Sequence, residues 1–398
     1  MKAKRVLWVL PYLPWPITSG GKSRQYHLMK RLVERGYQIT LLVHSKSPIN
    51  QNVTDNLSFL EQVIVLPRRK LLSLTTLASI LFSRYPLLTC INGFNGALSL
   101  KFEELLSEKW DVIQIEHSYS FQPYADILRL KETPYILTEH NVESGLGAAT
   151  YSRLPALLQP YSVIDRKKYQ RWEKEVMQHA ERVVAVTKED AKELSKISAR
   201  SIDVVINGVD TQYFKDISMN QNEQRVLFIG NYEYAPNVEA VEWLMAEIMP
   251  EVWIKHPAAK IMICGYAMPP AWKEQWPDDR IEYEGYISDL RDAQSKSTVF
   301  IAALRSGGGS KLKVLEAMAA GLPLVSTSQG VSGLDVKLGK HYLGGDDVKS
   351  LVDALSLLLL DVEKAKQVAD SARHYVCSNN DWSVAAQQME EVYSMGAL

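Results

Sequence analysis

Residues 5–43 read RVLWVLPYLPWPITSGGKSRQYHLMKRLVERGYQITLLV, and this stretch sets the expected architecture. It opens with a short apolar strand, passes through a loop rich in proline and glycine, and enters an amphipathic helix that Gly36 closes. A second apolar strand follows at 39–43. Strand, glycine loop, helix and strand form the opening of a doubly wound βαβ unit, so the sequence predicts a parallel sheet here.

The same order of elements returns in the second half of the chain. An apolar strand at 225–229 ends at Gly230, a helix is predicted from about 236 to 249, and another apolar strand covers 260–264. Continuous apolar strands are typical of parallel sheets buried on both faces. The 398 residues therefore predict an α/β protein with two Rossmann-like, doubly wound domains, and the polar segment 216–224 is the natural linker.

Composition and charge narrow the class of protein. The chain is 46% hydrophobic and 23% charged, which is ordinary for a globular protein, and its formal net charge of -1 gives no indication of nucleic acid as a partner. The three cysteines, Cys90, Cys264 and Cys377, are scattered and lack the spacing of metal ligands. Free thiols in a reducing compartment are the simplest interpretation, so we expect a cytoplasmic protein.

One uncharged stretch, residues 71–83, leaves two interpretations open. It is too short to cross a bilayer, which takes about 20 residues. Arg68-Arg69-Lys70 precede it and Arg84 follows it. It can be a core helix, or an interfacial helix that lies on anionic lipid at the inner face of the membrane.

The most informative loop is LRSGGGSKLKVLEAMAAGLP at residues 304–323. A strand ends, three glycines (Gly307, Gly308 and Gly309) turn the chain, and a helix is predicted to open with Ser310 as its N-cap. Glycines let the backbone approach a ligand closely, and free N–H groups at a helix N-terminus attract phosphate. The order of residues is neither a Walker loop nor a dinucleotide fingerprint.

Helical spacing places Lys313, Glu316 and Ala320 on one face of this helix. That face has a cation near the phosphate end and a carboxylate one turn further on, which can accept hydrogen bonds from a ribose diol. The alternative is a solvated salt bridge between Lys313 and Glu316 after a merely flexible loop.

This segment resembles the donor-binding signature of the retaining GT-B glycosyltransferases of family 4, also called glycosyltransferase group 1. In that family two glutamates are separated by seven residues, and Ala-Met-Ala-x-Gly-x-Pro follows. Glu316 matches the second glutamate, which the resemblance assigns to the ribose hydroxyls. The first glutamate would fall at Gly308, so its usual contact with the donor sugar is missing.

Other segments resemble the same family along nearly the whole chain. Residues 207–210 look like its hinge, and Gly230 and Asn231 look like the opening of its donor domain. Tyr286 and Ile287 fall in the loop against which the base rests. The resemblance implies an acceptor-side domain at 1–210, a donor-binding domain at 211–380 facing it across a cleft, and a last helix at 381–398 that packs back on the first domain.

The family usually carries an arginine and a lysine soon after Gly230 to hold the diphosphate, and residues 231–234 supply neither. Arg305, Lys311 and Lys313 are the predicted replacements. From the first domain, the glycine loop that approaches donor phosphate and acceptor is matched by Ser19-Gly20-Gly21-Lys22 with Arg24. An ordinary βα turn is the alternative interpretation of that loop.

Two strands of the first half end in the same dipeptide, Glu116-His117 and Glu139-His140. Ligands of open parallel sheets bind at the carboxyl ends of strands, so both pairs are expected at the site. His140 to Glu143 resembles the family motif whose histidine lies near the transferred sugar, while Glu116 and His117 are weaker candidates for the acceptor side. Histidines that only pack, or a two-His, two-Glu metal site, are the alternatives.

The resemblance implies transfer of a sugar from a UDP- or GDP-type donor, with retention of anomeric configuration. The acceptor is expected to be a sugar or a lipid-linked sugar, within cell-surface polysaccharide assembly. We expect neither cofactor nor metal, since no Asp-x-Asp triplet occurs in the chain. A nucleotide-sugar epimerase on the same scaffold, or a non-catalytic protein that binds nucleotide sugars, remains the alternative.

Overall fold

The computed structural model describes residues 3–46, 49–69, 73–145, 159–307 and 311–396. The chain divides into two compact units. Unit 1 comprises Met1–Ile206 and Ala385–Leu398, and unit 2 comprises Asn207–Val384.

Unit 1 is built on a parallel sheet with seven strands in the described part of the chain, in the order β3-β2-β1-β4-β5-β6-β7. The strands are β1 Lys4–Leu10, β2 Tyr37–Ser45, β3 Gln62–Pro67, β4 Val112–Glu116, β5 Ile136–Glu139, β6 Arg182–Ala185 and β7 Asp203–Val204. The central strand β1 is fully buried from Val6 to Val9, which explains its continuous apolar sequence.

Helices connect these strands. They are α1 Gly20–Glu34, α2 Gln51–Asn56, α3 Leu74–Phe82, α4 Leu87–Asn92, α5 Gly96–Leu105, α6 Gln122–Leu130, α7 Gln159–His179 and α8 Lys188–Ser198. Helix α1 begins at Gly20 because the side chain of Ser19 caps it by accepting from the backbone N–H of Lys22.

Unit 2 repeats the architecture. Its parallel sheet has six described strands in the order β10-β9-β8-β11-β12-β13. They are β8 Arg225–Ile229, β9 Lys260–Cys264, β10 Ile281–Gly285, β11 Val299–Ala302, β12 Leu324–Ser326 and β13 Leu343–Gly344. The two sheets confirm the α/β, doubly wound fold that the repeated strand-loop-helix pattern predicts.

The helices of unit 2 flank this sheet. They are α9 Ala235–Trp243, α10 Met249–Lys255, α11 Trp272–Gln275, α12 Leu290–Gln294, α13 Leu312–Ala319, α14 Val348–Leu360 and α15 Val362–Asn379. A π-helical turn, Leu244–Ile248, joins α9 to α10.

The last helix, α16 Trp382–Met395, starts in unit 2 and ends in unit 1. Its unit 1 portion buries the side chains of Met389 and Tyr393, and the ring of Tyr393 lies 5.7 Å from that of Tyr37. In addition, Gln388 Oε1 accepts a hydrogen bond from the backbone N–H of Ile206. Among the described residues, no helix is both long and apolar enough to cross a membrane.

Candidate functional site

Each sheet has one place where the order of its strands reverses. In unit 1 this point lies between β1 and β4, and in unit 2 it lies between β8 and β11. Open α/β sheets bind their ligands outside the carboxyl ends of the strands at such a point. Gly230 follows β8, and the glycine loop follows β11, so both donor-side segments predicted from the sequence meet this point of unit 2.

Gly307 forms the first turn of the glycine loop. Its φ of +102° is unfavourable for any residue with a side chain, and a Cβ atom there would lie 2.7 Å from the Tyr234 hydroxyl. The Gly307 carbonyl accepts from Lys311 Nζ at 3.0 Å and from Gln329 Nε2 at 2.5 Å. The predicted ligand residues Gly308, Gly309 and Ser310 lie outside the described residues.

Helix α13 begins at Leu312 with Lys311 in the N-cap position, so the prediction that the helix opens directly after Ser310 is wrong by one residue. Lys311 is buried and its ammonium group is held by the loop carbonyl of Gly307. At the other end, Gly321 adopts a φ of +71°, as expected of the residue that follows the helix C-cap.

Lys313 contacts the opposite wall of the switch point instead of a carboxylate. Its Nζ donates to Asn237 Oδ1 at 2.7 Å and lies 4.4 Å from the centre of the Phe228 ring. Burial, with a smaller contribution from the positive charge of Lys311, lowers the pKa of Lys313 to about 7. The alternative of a solvated salt bridge to Glu316 does not describe this lysine.

Glu316 lies one turn further along α13, where its carboxyl group is partly buried. Burial raises the pKa of Glu316 to about 7. A desolvated carboxyl group of this kind gains most from a ligand that donates hydrogen bonds to it, such as a vicinal diol.

Arg305 has a different setting from the two lysines. Its side chain is 54% exposed, its Nε lies 3.8 Å from Glu239 Oε1, and its guanidinium group lies 5.2 Å from the Trp243 ring. Ser306 Oγ also donates to Glu239 Oε2 at 2.9 Å. Because the pair with Glu239 is exposed, it holds the arginine only weakly, and an anion can compete for it.

The loop after β8 is held in close contact with the loop after β9. A Cβ atom at Gly265 would lie 1.7 Å from the Gly230 carbonyl oxygen, so the two backbones touch. Asn231 accepts from the Glu233 backbone N–H at 3.0 Å through its side chain, and from Asn237 Nδ2 at 2.7 Å through its carbonyl. Asn237 thus hydrogen-bonds both Asn231 and Lys313, a role that no motif in the sequence predicts.

Two exposed aromatic rings stand at the carboxyl ends of β9 and β10. Tyr266 is 51% exposed and Tyr286 is 63% exposed, and their rings meet edge to face at 6.5 Å. Ile287 packs against the core of unit 2 and anchors the loop. The exposed faces are suited to stacking a planar group such as a nucleobase.

In unit 1, Gly21 lies at the start of α1 directly against two polar side chains. A Cβ atom there would be 2.9 Å from the Tyr12 hydroxyl and 3.7 Å from His140 Nδ1. Lys22 donates to the Pro16 carbonyl at 3.3 Å, and burial lowers the pKa of its ammonium group. The structure therefore brings Gly21 together with His140 within unit 1, while Lys22 contacts the loop that precedes α1.

Glu116 and His140 form a buried pair. His140 Nε2 lies 2.7 Å from Glu116 Oε2, which also accepts from Gln25 Nε2 at 2.6 Å. Trp8 Nε1 donates to Gln25 Oε1 at 3.0 Å, and because an indole can only donate, this bond fixes the orientation of the Gln25 amide. Gln114 Nε2 donates to the second carboxyl oxygen at 2.8 Å.

This network fixes the position of the His140 imidazole, because its Nε2 lies 2.7 Å from Glu116 Oε2 and 3.0 Å from Gln25 Nε2. Burial raises the pKa of Glu116 and holds the pKa of His140 well below its usual range, so the imidazole is neutral at pH 7. In the tautomer whose Nε2–H donates to Glu116, the imidazole presents the lone pair of Nδ1 on the side of Gly21; in the other tautomer, Nε2 accepts from Gln25 and Nδ1–H lies on that side.

His117 and Arg24 are buried beside this pair. His117 Nε2 lies 3.1 Å from the Tyr12 hydroxyl, and its ring lies 4.1 Å from that of His140. Arg24 donates to the Ile206 carbonyl at 2.9 Å, and burial lowers the pKa of Arg24 to about 10. Both residues are fixed within unit 1, as supports behind Glu116 and His140.

In the second Glu-His dipeptide, the side chains of Glu139 and His140 point to different partners. Glu139 turns away from His140 and accepts from the Ser118 backbone N–H at 2.9 Å, while burial raises its pKa well above the usual range. Among the described residues, no group of three or more histidine, cysteine, aspartate or glutamate side chains is arranged to hold a metal ion.

Sequence reasoning missed the amides and phenols of the site: Tyr12, Gln25, Gln114, Tyr234, Asn237 and Gln329. Neutral polar side chains of this kind are frequent in loops and helices, and they carry no motif of their own. Among these residues, Asn237 is the one that its sequence position could have indicated, because it follows Pro236 at the start of the helix after the Gly230 loop.

The two sheets and the glycine loops at their switch points define a protein of the GT-B class. Comparisons with known proteins identify the family. The family model described as "Glycosyl transferases group 1" matches residues 223–361, and the model "Glycosyltransferase Family 4" matches residues 18–213. The chain belongs to the group 1, family 4 glycosyltransferases, which confirms the resemblance and the enzyme class predicted from the sequence.

Individual relatives are distant. An uncharacterized 44.6 kDa protein in the cps region of Klebsiella pneumoniae is 25% identical over 177 residues, which are 42% of this chain and 45% of that protein. The chain thus matches less than half the length of this relative.

Solved structures are similar over the full length. Sucrose-phosphate synthase from Thermosynechococcus elongatus superposes with a TM-score of 0.69 at 16% identity and covers 98% of each chain. Anabaena HepE, solved in complex with UDP and glucose, superposes with a TM-score of 0.67 at 15% identity and covers 98% of this chain and 99% of its own. At these identities the likeness concerns the fold.

Proposed function

We propose that this protein transfers a sugar from a nucleoside diphosphate sugar to a sugar acceptor, and that unit 2 binds the donor. The observation that carries the proposal is the arrangement on α13. Lys313 and Glu316, both with pKa values near 7, follow a glycine loop at the switch point of a parallel sheet. Lysine near the glycine loop suits the diphosphate, and glutamate one turn later suits the ribose diol.

The chemical task is to stabilise the negative charge that develops on the diphosphate as it leaves. Lys313, Lys311 and Arg305 are the cations proposed for this task, together with the backbone N–H groups of the loop. A diphosphate that binds next to Lys313 favours its charged form, so binding includes the uptake of a proton near neutral pH. No divalent metal is then required. Retention of configuration, with the leaving phosphate receiving the proton of the acceptor hydroxyl, follows the family.

Unit 1 is proposed to hold the sugar side of the reaction. A neutral His140 with a free Nδ1 lone pair can accept a hydrogen bond from a sugar hydroxyl, and Glu116 keeps the ring in that tautomer. Gly20 and Gly21 leave room for the sugar, because a side chain at Gly21 would meet Tyr12.

The cps-region relative supports an acceptor in cell-surface polysaccharide assembly. HepE, solved with UDP and glucose, supports a UDP-type donor. We therefore propose a sugar or lipid-linked sugar as the acceptor, and action in the cytoplasm with peripheral contact to the inner membrane face.

Calorimetric titration tests the donor site. The ligands are a nucleoside diphosphate and the corresponding nucleoside, titrated into wild type and into Lys313→Ala, with Lys366→Ala on the exposed side of α15 as the control. The proposal predicts that Lys313→Ala weakens the diphosphate at least about tenfold and leaves the nucleoside nearly unchanged. Equal losses for both ligands, or none, would refute the assignment of the diphosphate to this lysine.

A further inference from the structure

The first half of α7 presents an unusual surface. Val163 and Ile164 are 59% and 57% exposed, although both are large apolar residues. Of the exposed residues that follow them up to residue 174, all but Gln170 are basic, and these are Arg166, Lys167, Arg171 and Lys174. Of the three acids in this part of the helix, Asp165 and Glu173 are buried, and the partly exposed Glu175 pairs with Arg84. The solvent side of this helix is therefore apolar at its start and cationic along the following turns.

Helix α3 extends this surface. Leu74 and Phe82, near its two ends, are 87% and 86% exposed, while Thr76 and Ser79 are buried. In the part of α3 whose side chains are described, exposed leucine and phenylalanine with buried threonine and serine favour the interfacial interpretation of this stretch over the core interpretation. Lys168 of α7 donates to the Ser83 carbonyl at 2.9 Å, so the end of α3 lies against α7.

Two of the cations that flank the uncharged stretch in sequence are engaged elsewhere, whereas Arg84, just after α3, is 65% exposed and pairs with Glu175 of α7 at 3.2 Å. Arg68 donates to Asn92 Oδ1 at 2.7 Å, and Arg69 donates to the carbonyls of Cys90 and Phe94. Apart from Arg84, the exposed positive charge beside α3 therefore comes from α7, about 90 residues further along the chain, and the local sequence pattern does not indicate that part of it. In the described part of the chain, no carboxylate pairs with Lys167, Arg171 or Lys174.

We propose that this surface docks the protein on a membrane that contains anionic phospholipid. Its residues, called the apolar–basic face below, are Leu74, Phe82, Val163, Ile164, Arg166, Lys167, Arg171 and Lys174. Exposed apolar side chains enter the boundary between head groups and acyl chains, while lysine and arginine neutralise the phosphates above it. This inference assigns the peripheral membrane contact of the proposed function to particular residues. It rests on the proposed function in one respect, since membrane docking serves transfer only if the acceptor is lipid-linked.

The composition of the face selects this occupant. A second copy of the chain would bring cations against cations, which is unfavourable without intervening anions. A nucleic acid would use the cations and would gain little from an exposed Phe82 or Leu74. An anionic bilayer surface accommodates both components, and the face combines them along two adjoining helices.

Co-sedimentation with vesicles tests the inference. Wild type should bind vesicles of phosphatidylglycerol and phosphatidylcholine, should bind pure phosphatidylcholine far less, and should dissociate as salt rises. Lys167→Glu should lower the partition coefficient at least about fivefold, and Phe82→Ser several-fold. Two controls match these changes away from the face: Lys366→Glu on α15, and Leu100→Ser on α5, where the leucine is 73% exposed. Both should bind like wild type.

Wild type that shows no preference for anionic vesicles would overturn the inference, and so would controls that lose as much vesicle binding as the variants of the face. Vesicle binding that falls in Lys167→Glu but not in Phe82→Ser would also overturn it, because that result indicates a site for polyanions and not for a membrane. Circular dichroism and thermal denaturation, measured in parallel, report that each variant is folded. The vesicle assay contains no donor, so its result does not depend on whether the proposed transfer reaction occurs. The transfer assay contains no vesicles, so its result does not depend on membrane binding.

Discussion

Glu316 shows what a single residue contributes at the donor site. Its carboxyl group has an ordinary pKa of 4.5 that burial raises to about 7. The folded protein therefore holds a proton there that the unfolded chain has lost, so this group lowers stability as pH rises from about 4.5 to 7, and the penalty persists above that range. A ligand that donates two hydroxyl hydrogen bonds offsets this penalty.

Glu316→Gln is expected to separate binding from stability. The variant should lose about 1.5–3 kcal/mol of nucleoside diphosphate affinity, because a charge-assisted acceptor is gone. At pH 8 it should melt at a higher temperature than wild type, and at pH 4 the two should melt alike. Thermal denaturation at both pH values and calorimetric titration measure this. Unchanged affinity would remove Glu316 from the site, and a lower melting temperature at pH 8 would show that it is a structural residue.

His140 makes the complementary case in unit 1. His140→Ala should lower turnover far more than nucleoside diphosphate affinity, because the nucleotide is assigned to unit 2. Glu116→Gln should give a smaller loss in turnover and should change the imidazole ¹⁵N shifts that report the tautomer, since an amide replaces the acceptor of Nε2–H. His27→Ala, at a partly buried histidine on α1, is the control. Full activity in His140→Ala would mean that the histidine only packs.

At the scale of elements, the glycine loop is expected to be the least tolerant segment of unit 2. Gly307→Ala places a side chain at a φ of +102°, which costs about 1–3 kcal/mol, and directs it against Tyr234 and Pro236. The loop should shift and donor affinity should fall. Gly96→Ala on α5, where a Cβ atom meets nothing within 4 Å, is the matched control. If the donor-binding curve of Gly307→Ala coincides with that of wild type, as the curve of Gly96→Ala should, the loop does not contact the donor.

The elements also show how far the sequence can be used. Apolar strands and glycine loops predict the two sheets because periodicity and turn chemistry are local properties of the chain. The hydrogen bond between Lys313 and Asn237 joins residues 76 positions apart, and the bond between Glu116 and Gln25 joins residues 91 positions apart. Neutral amides belong to no sequence motif that predicts such long-range pairs. The same holds for α3 and α7, whose common surface depends on how unit 1 folds.

At the scale of the whole molecule, each unit has its own candidate site at its own switch point, and the chemistry is divided between them. Unit 2 offers cations and a carboxyl group for a nucleoside diphosphate, whereas unit 1 offers a neutral imidazole and a glycine turn for a sugar. If the three basic side chains and the loop N–H groups neutralise the diphosphate, transfer should proceed in excess chelator. Activity that chelator abolishes and magnesium or manganese restores would contradict this view of the phosphate site.

The central claim is that the protein splits a nucleotide sugar at the site built on α13. The most direct test is mass spectrometry of products after incubation with a panel of UDP- and GDP-sugars and sugar acceptors in excess chelator, with wild type and Glu316→Gln side by side. We predict that wild type releases nucleoside diphosphate and glycosylates an acceptor with one donor of the panel, and that Glu316→Gln does so at least about tenfold more slowly at low donor concentration. Donor turnover without any acceptor would indicate an epimerase or hydrolase, and donor binding without turnover would indicate a binding protein; either result would contradict the claim.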